Sequence, residues 1–144
     1  SIEEATRESF ESIRIYVSDI FARIHAPAEY TLGNFSDGLS LGTIEGKEHS
    51  VNQVSTGQRA ALALSIFLAL NLSAENSPPI MLIDDPIAHI DDLNALSFID
   101  YLRDLSINTN KQIFFATADA KLAALFEKKF EFLGKRYKKI VLPR

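Results

Sequence analysis

Apolar residues in the first segment fall at Phe10, Ile13, Val17, Ile20 and Ile24, the three-four alternation of a coiled-coil seam. Ser1 and Glu4 stand at capping-box spacing and Pro27 forbids continuation, so the pattern predicts one long helix over residues 1–26. Thr6 and Glu3 occupy the next seam positions upstream. The seam is therefore short, and suits equally an amphipathic helix packed on a domain and the root of a coiled coil. Residues 30–52 are rich in Gly and Ser, with β-prone pieces at 30–32 and 39–44 that predict a hairpin. A long apolar helix follows over 57–72, closed by Asn76-Ser77-Pro78-Pro79. Residues 80–83 form a continuous apolar run before two carboxylates, the pattern of a buried parallel strand. Leu93, Leu96, Ile99, Leu102 and Leu105 then recur at helical spacing. Residues 112–116 read as a second buried strand, 120–129 as a helix and 137–142 as a last strand. Alternating strands and helices predict an α/β sheet with right-handed crossovers, organised as a helical segment 1–26 and an α/β body 27–144.

The 144 residues suffice for one core without a disulfide or metal staple. With 47% apolar and 24% charged residues, a wholly disordered chain and a disulfide scaffold are excluded. The absence of cysteine removes thiolate chemistry and cysteine zinc sites. The longest apolar stretch, 60–72, is interrupted by Ser65 and Asn71 and is too short to span hydrocarbon. No leader is read before Ser1, so the expected location is cytoplasmic or nucleoid-associated, with no membrane. The net charge of −4 is uneven: residues 128–144 hold seven basic side chains against Glu131 alone. A lysine-protected edge strand accounts for that cluster, and a phosphate contact is the alternative.

Two places carry chemistry. In Ile80-Met81-Leu82-Ile83-Asp84-Asp85-Pro86, a carboxylate ends a buried strand, on the edge where open α/β sheets bind ligands. Asp84 is the candidate magnesium residue, and Asp85 the candidate base that polarises an attacking water. A helix cap or solvated turn would explain the same acids. Upstream, Val54-Ser55-Thr56-Gly57-Gln58 directly precedes a long helix, offering free N–H groups, a hydroxyl and a glycine that permits close approach of a phosphate. An ordinary cap with a turn glycine is its plain alternative. His25, His49 and His89 are scattered and do not suggest a metal site.

Together these pieces resemble the C-terminal half of an ATP-binding-cassette ATPase head. Val54-Ser55-Thr56-Gly57-Gln58 resembles the signature motif, residues 80–85 resemble Walker B, and Ala88-His89-Ile90-Asp91 resembles the D-loop. The long helix between signature and Walker B is similar to the structural-maintenance-of-chromosomes (SMC) proteins and their DNA-repair relatives. The resemblance implies an α/β C-terminal lobe, ATP and Mg2+ as ligands, and a homodimer closed by an ATP sandwich. In that sandwich Ser55, Thr56, Gly57 and Gln58 would serve a nucleotide held by the opposing head, with Asp91 communicating across the interface. It also implies DNA as a partner and an ATPase completed by an N-terminal P-loop half. No P-loop occurs here: Gly42-Thr43-Ile44-Glu45-Gly46-Lys47-Glu48 is one residue short and places Glu48 where a hydroxyl belongs. The isolated chain is therefore expected to be inactive. Two departures bear on turnover: Asp85 is shorter than the usual glutamate, and Thr117-Ala118-Asp119 lacks the switch histidine. A transporter nucleotide-binding subunit and a hydrolysis-poor ATP-gated clamp are the alternative readings.

Overall fold

The computed structural model describes residues 2–25, 30–32, 40–43, 48–50, 56–86 and 90–143. It divides into two compact units, residues 1–78 with 87–98, and residues 79–86 with 99–144.

In the first unit, α1 (Ile2–Ile24) is a helix of 23 residues. Its seam residues Ile13, Val17, Ile20 and Ile24, joined by Phe21, are buried, and the helix packs against α2 (Thr56–Ser73). The seam is thus filled along its C-terminal half by another helix of the same unit, whereas Ile2 is 87% exposed and the residues around it lie open to solvent. His25 is buried, stacked on the Phe21 ring at 5.1 Å. On α2 the buried residues Ala61, Leu62, Ser65, Leu68 and Ala69 share one helical stripe. Ser65 remains inexpensive there because its hydroxyl donates to the Ala61 carbonyl at 2.7 Å. The expected hairpin is a three-stranded antiparallel sheet in the order β1 (Tyr30–Leu32), β2 (Ser40–Thr43), β3 (Glu48–Ser50).

In the second unit, β4 (Ile80–Asp84) and β5 (Gln112–Ala116) pair in parallel, in register from Ile80 opposite Gln112 to Asp84 opposite Ala116. The chain passes from β4 to β5 through α3 (Asp92–Asn108), whose residues 99–108 belong to this unit and 92–98 to the first, as the crossover of a parallel pair requires. Next comes α4 (Ala120–Phe130), then a 3-10 helix, Glu131–Arg136, interrupted at Gly134 with φ 57°. A Cβ at Gly134 would meet nothing within 4 Å, so glycine is required there by backbone conformation alone. Phe115 stacks on Phe126 at 4.6 Å and Phe126 on Phe130 at 4.1 Å, so α4 covers one face of β5.

Two expectations are corrected. The strands are not buried on both faces: Met81 and Ile83 are buried, but Leu82 is 68%, Phe114 50% and Ile80 42% exposed. An apolar run does not by itself fix that both faces of a strand are covered. Nor do residues 137–142 form a strand. They follow the 3-10 helix without a ladder partner, and Ile140, Val141 and Leu142 are open to solvent. Their β-prone side chains find no described neighbouring strand to pair with, so the lysines there guard no edge. Instead Lys139 reaches back to Glu127 on α4 at 2.6 Å.

Candidate functional site

The open face of the β4–β5 sheet carries Ile80, Leu82 and Asp84 on one strand and Gln112, Phe114 and Ala116 on the other, because alternate residues share a face. Asp84 is therefore at the C-terminal rim of the uncovered apolar surface. Among the described residues none hydrogen-bonds its carboxylate.

Asp85 points elsewhere because the backbone turns. Its φ is 42°, in the left-handed region that costs an L-residue about 1–2 kcal/mol. Two interactions hold it there: its N–H donates to the Ala116 carbonyl at 2.8 Å, and its Oδ1 accepts from the Thr117 hydroxyl at 3.3 Å. Asp119 caps α4, its Oδ1 accepting from the N–H groups of Lys121 at 2.8 Å and Leu122 at 3.1 Å. Sequence reading identified the Thr117-Ala118-Asp119 turn but not the hydroxyl that ties it to Asp85. An Asp two residues after a Thr, just ahead of an apolar helix, was the available signal.

Asp91 caps α3. Its Oδ1 accepts from the Asn94 N–H and its Oδ2 from the Asn94 side-chain amide, both at 2.9 Å, and Asn94 is buried. Thr56, Gly57 and Gln58 open α2, Thr56 exposed and the other two partly so. Val54, Ser55, Ala88 and His89 lie outside the described residues.

The Asp84 carboxylate on the sheet rim suits Mg2+, which takes one or two protein carboxylates and completes its shell with water and substrate phosphates. No cluster of three or more acidic or imidazole side chains that could hold a metal ion occurs among the described residues. Nor is any described helix long and apolar enough to cross a membrane.

No family model matches the chain. A solved SMC ATPase chain from work on ATP-driven dimerization and DNA-stimulated activation aligns over 96% of this chain and 99% of its own, with TM-score 0.65 and 21% identity. The fold is that of an SMC-type ATPase head lobe. An Smc head bound to the C-winged helix domain of ScpA aligns over 82% of this chain and 37% of its own, TM-score 0.61, 25% identity. The Pyrococcus furiosus Smc head bound to the C-terminal domain of ScpA aligns over 82% and 31%, TM-score 0.58, 24% identity. In sequence, the chain is 29% identical over 89 residues to the DNA double-strand break repair Rad50 ATPase of Sulfurisphaera tokodaii. That stretch is 62% of this chain and 10% of the relative's length. The SMC-like lobe thus resembles the C-terminal part of an SMC/Rad50 ATPase head, and its second unit carries the acidic rim at the end of β4.

Proposed function

We propose that this lobe is the signature and Walker B half of an ATP-hydrolysing head that works by ATP-dependent dimerisation in DNA repair or chromosome maintenance. The observation that carries the reading is Asp84 on the rim of a parallel sheet whose apolar face is uncovered. A segment that covers Ile80, Leu82 and Phe114 arrives beside Asp84, so a phosphate-binding loop on that segment would meet the carboxylates directly. Residues 1–26 are a helical segment whose exposed N-terminal half is where a coiled coil would root, and residues 27–144 form the lobe.

Asp84 would hold Mg2+, which neutralises phosphate charge when bound. Asp85 takes a proton from water as the water oxygen bonds to the γ-phosphorus. The bridging oxygen–phosphorus bond breaks, leaving ADP and phosphate. Positioning and charge neutralisation supply most of the acceleration in such a transfer. Ser55, Thr56, Gly57 and Gln58 contact a nucleotide held by the opposing head, where the positive end of α2 favours a phosphate. Asp91 anchors the D-loop by its cap on α3 and leaves that segment to report on the dimer interface. DNA is the partner whose handling this cycle serves.

The test is steady-state turnover and ATP binding by the lobe assembled with its P-loop half. Asp85→Asn is expected to lower turnover about 100-fold or more while retaining ATP binding, the range for loss of a general base. Unchanged turnover rejects the assignment. Because Ala118 leaves no imidazole in that turn, an assembled head that binds ATP and dimerises without turnover would instead identify a clamp.

A further inference from the structure

We infer that Thr117 is a positioning residue for Asp85, fixing the carboxylate that activates water; the inference rests on the hydrolytic reading above. Three observations converge on its hydroxyl. Asp85 sits at φ 42°, a conformation that needs support from its surroundings. The Thr117 Oγ1 lies 3.3 Å from Asp85 Oδ1 and accepts the Asp119 N–H at 3.1 Å. Asp119 is itself fixed as the cap of α4.

The direction of the bond follows from this arrangement. The Asp119 N–H is a donor and occupies a lone pair of the hydroxyl, while an ionised carboxylate can only accept, so the hydroxyl proton points at Asp85. Thr117 thereby links a rigid helix start to a carboxylate on a strained turn. Threonine suits the task because branching at Cβ restricts its rotamers. The contact is long for a hydroxyl–carboxylate bond, as catalytic hydrogen bonds often are before substrate is present. It reaches the carboxylate from the residue beside Ala118, so the turn acts on Asp85 through a hydroxyl where no imidazole is available.

The test compares Thr117→Val, Thr117→Ser, Asp85→Asn and the Thr117→Val/Asp85→Asn double variant in the assembled ATPase. Thr117→Val keeps the side-chain shape and removes the donor. It is expected to lower kcat about tenfold with KM unchanged, the signature of an interaction that matters in the transition state. Thr117→Ser should recover most of that loss, and Thr117→Val should add nothing in the Asp85→Asn background. A Thr117→Val kcat equal to wild type, with Asp85→Asn impaired, overturns the positioning role and leaves the role of Asp85 intact. An equal loss from Thr117→Val in both backgrounds overturns it in favour of a purely structural effect. Full turnover by Asp85→Asn overturns the hydrolytic reading itself. In the 144-residue chain, Thr117→Val should also speed hydrogen exchange at the Asp119 amide, and unchanged exchange would contradict the bonding geometry.

Discussion

The two faces of the β4–β5 sheet are made from the same kinds of residue and meet opposite surroundings. On one, Met81 and Ile83 are buried and Phe115 lies under the aromatic stack of α4; on the other, Leu82 and Phe114 are half or more exposed. Parallel sheets are ordinarily covered on both sides, so the difference sets a packed face beside one that nothing among the described residues covers.

Truncating each face in turn is the direct way to break that comparison. In the 144-residue chain, Met81→Ala is expected to cost about 2–5 kcal/mol in urea unfolding, the range for buried large-to-small changes. Leu82→Ala should stay within about 0.5 kcal/mol there, as for surface substitutions. In the assembled head the same Leu82→Ala should weaken the lobe by about 1.5–3 kcal/mol, the worth of burying a leucine. Equal costs at Leu82 in both states would mean that nothing covers this face.

A smaller effect tests how firmly the covered side holds the rim. Asp119→Ala removes the cap of α4 and is expected to cost about 1 kcal/mol, read from the same unfolding curves.

The smallest effect concerns the segment after Gly134. The Lys139 ammonium is raised above its ordinary value of 10.5, chiefly by its hydrogen bond to Glu127. Burial, helped by Glu127, raises the Tyr137 hydroxyl above 10.0. Both groups keep their protons longer in the folded chain, so their contributions are complete below their ordinary values and are lost as pH rises through the raised ones. Tyr137 and Lys139 should detach from α4 in alkaline solution, seen by NMR as loss of the Phe126–Tyr137 ring contact with the rest of the chain still folded.

Much of this architecture was legible in the sequence. The spacing of apolar residues marked β5 to its ends, and marked α2 and α4 to within a residue or so, because hydrophobic period and flanking breakers are local properties. The carboxylates at the end of β4 were equally plain. The open face at Leu82 and Phe114 and the unpaired segment at 137–142 were not, since an apolar run is the same whether its cover comes from this chain or another. The left-handed turn at Asp85 and its bond from Thr117 depend on two strand ends being adjacent, and no local pattern specifies that.

Ile140, Val141 and Leu142, about 70–80% exposed, are a short β-prone run of the type that seeds intermolecular stacking. Lys138 and Lys139 stand just before it and Pro143 just after, a charged and a conformational gatekeeper at either end. The run is therefore bounded on both sides by residues that oppose its stacking on copies of itself.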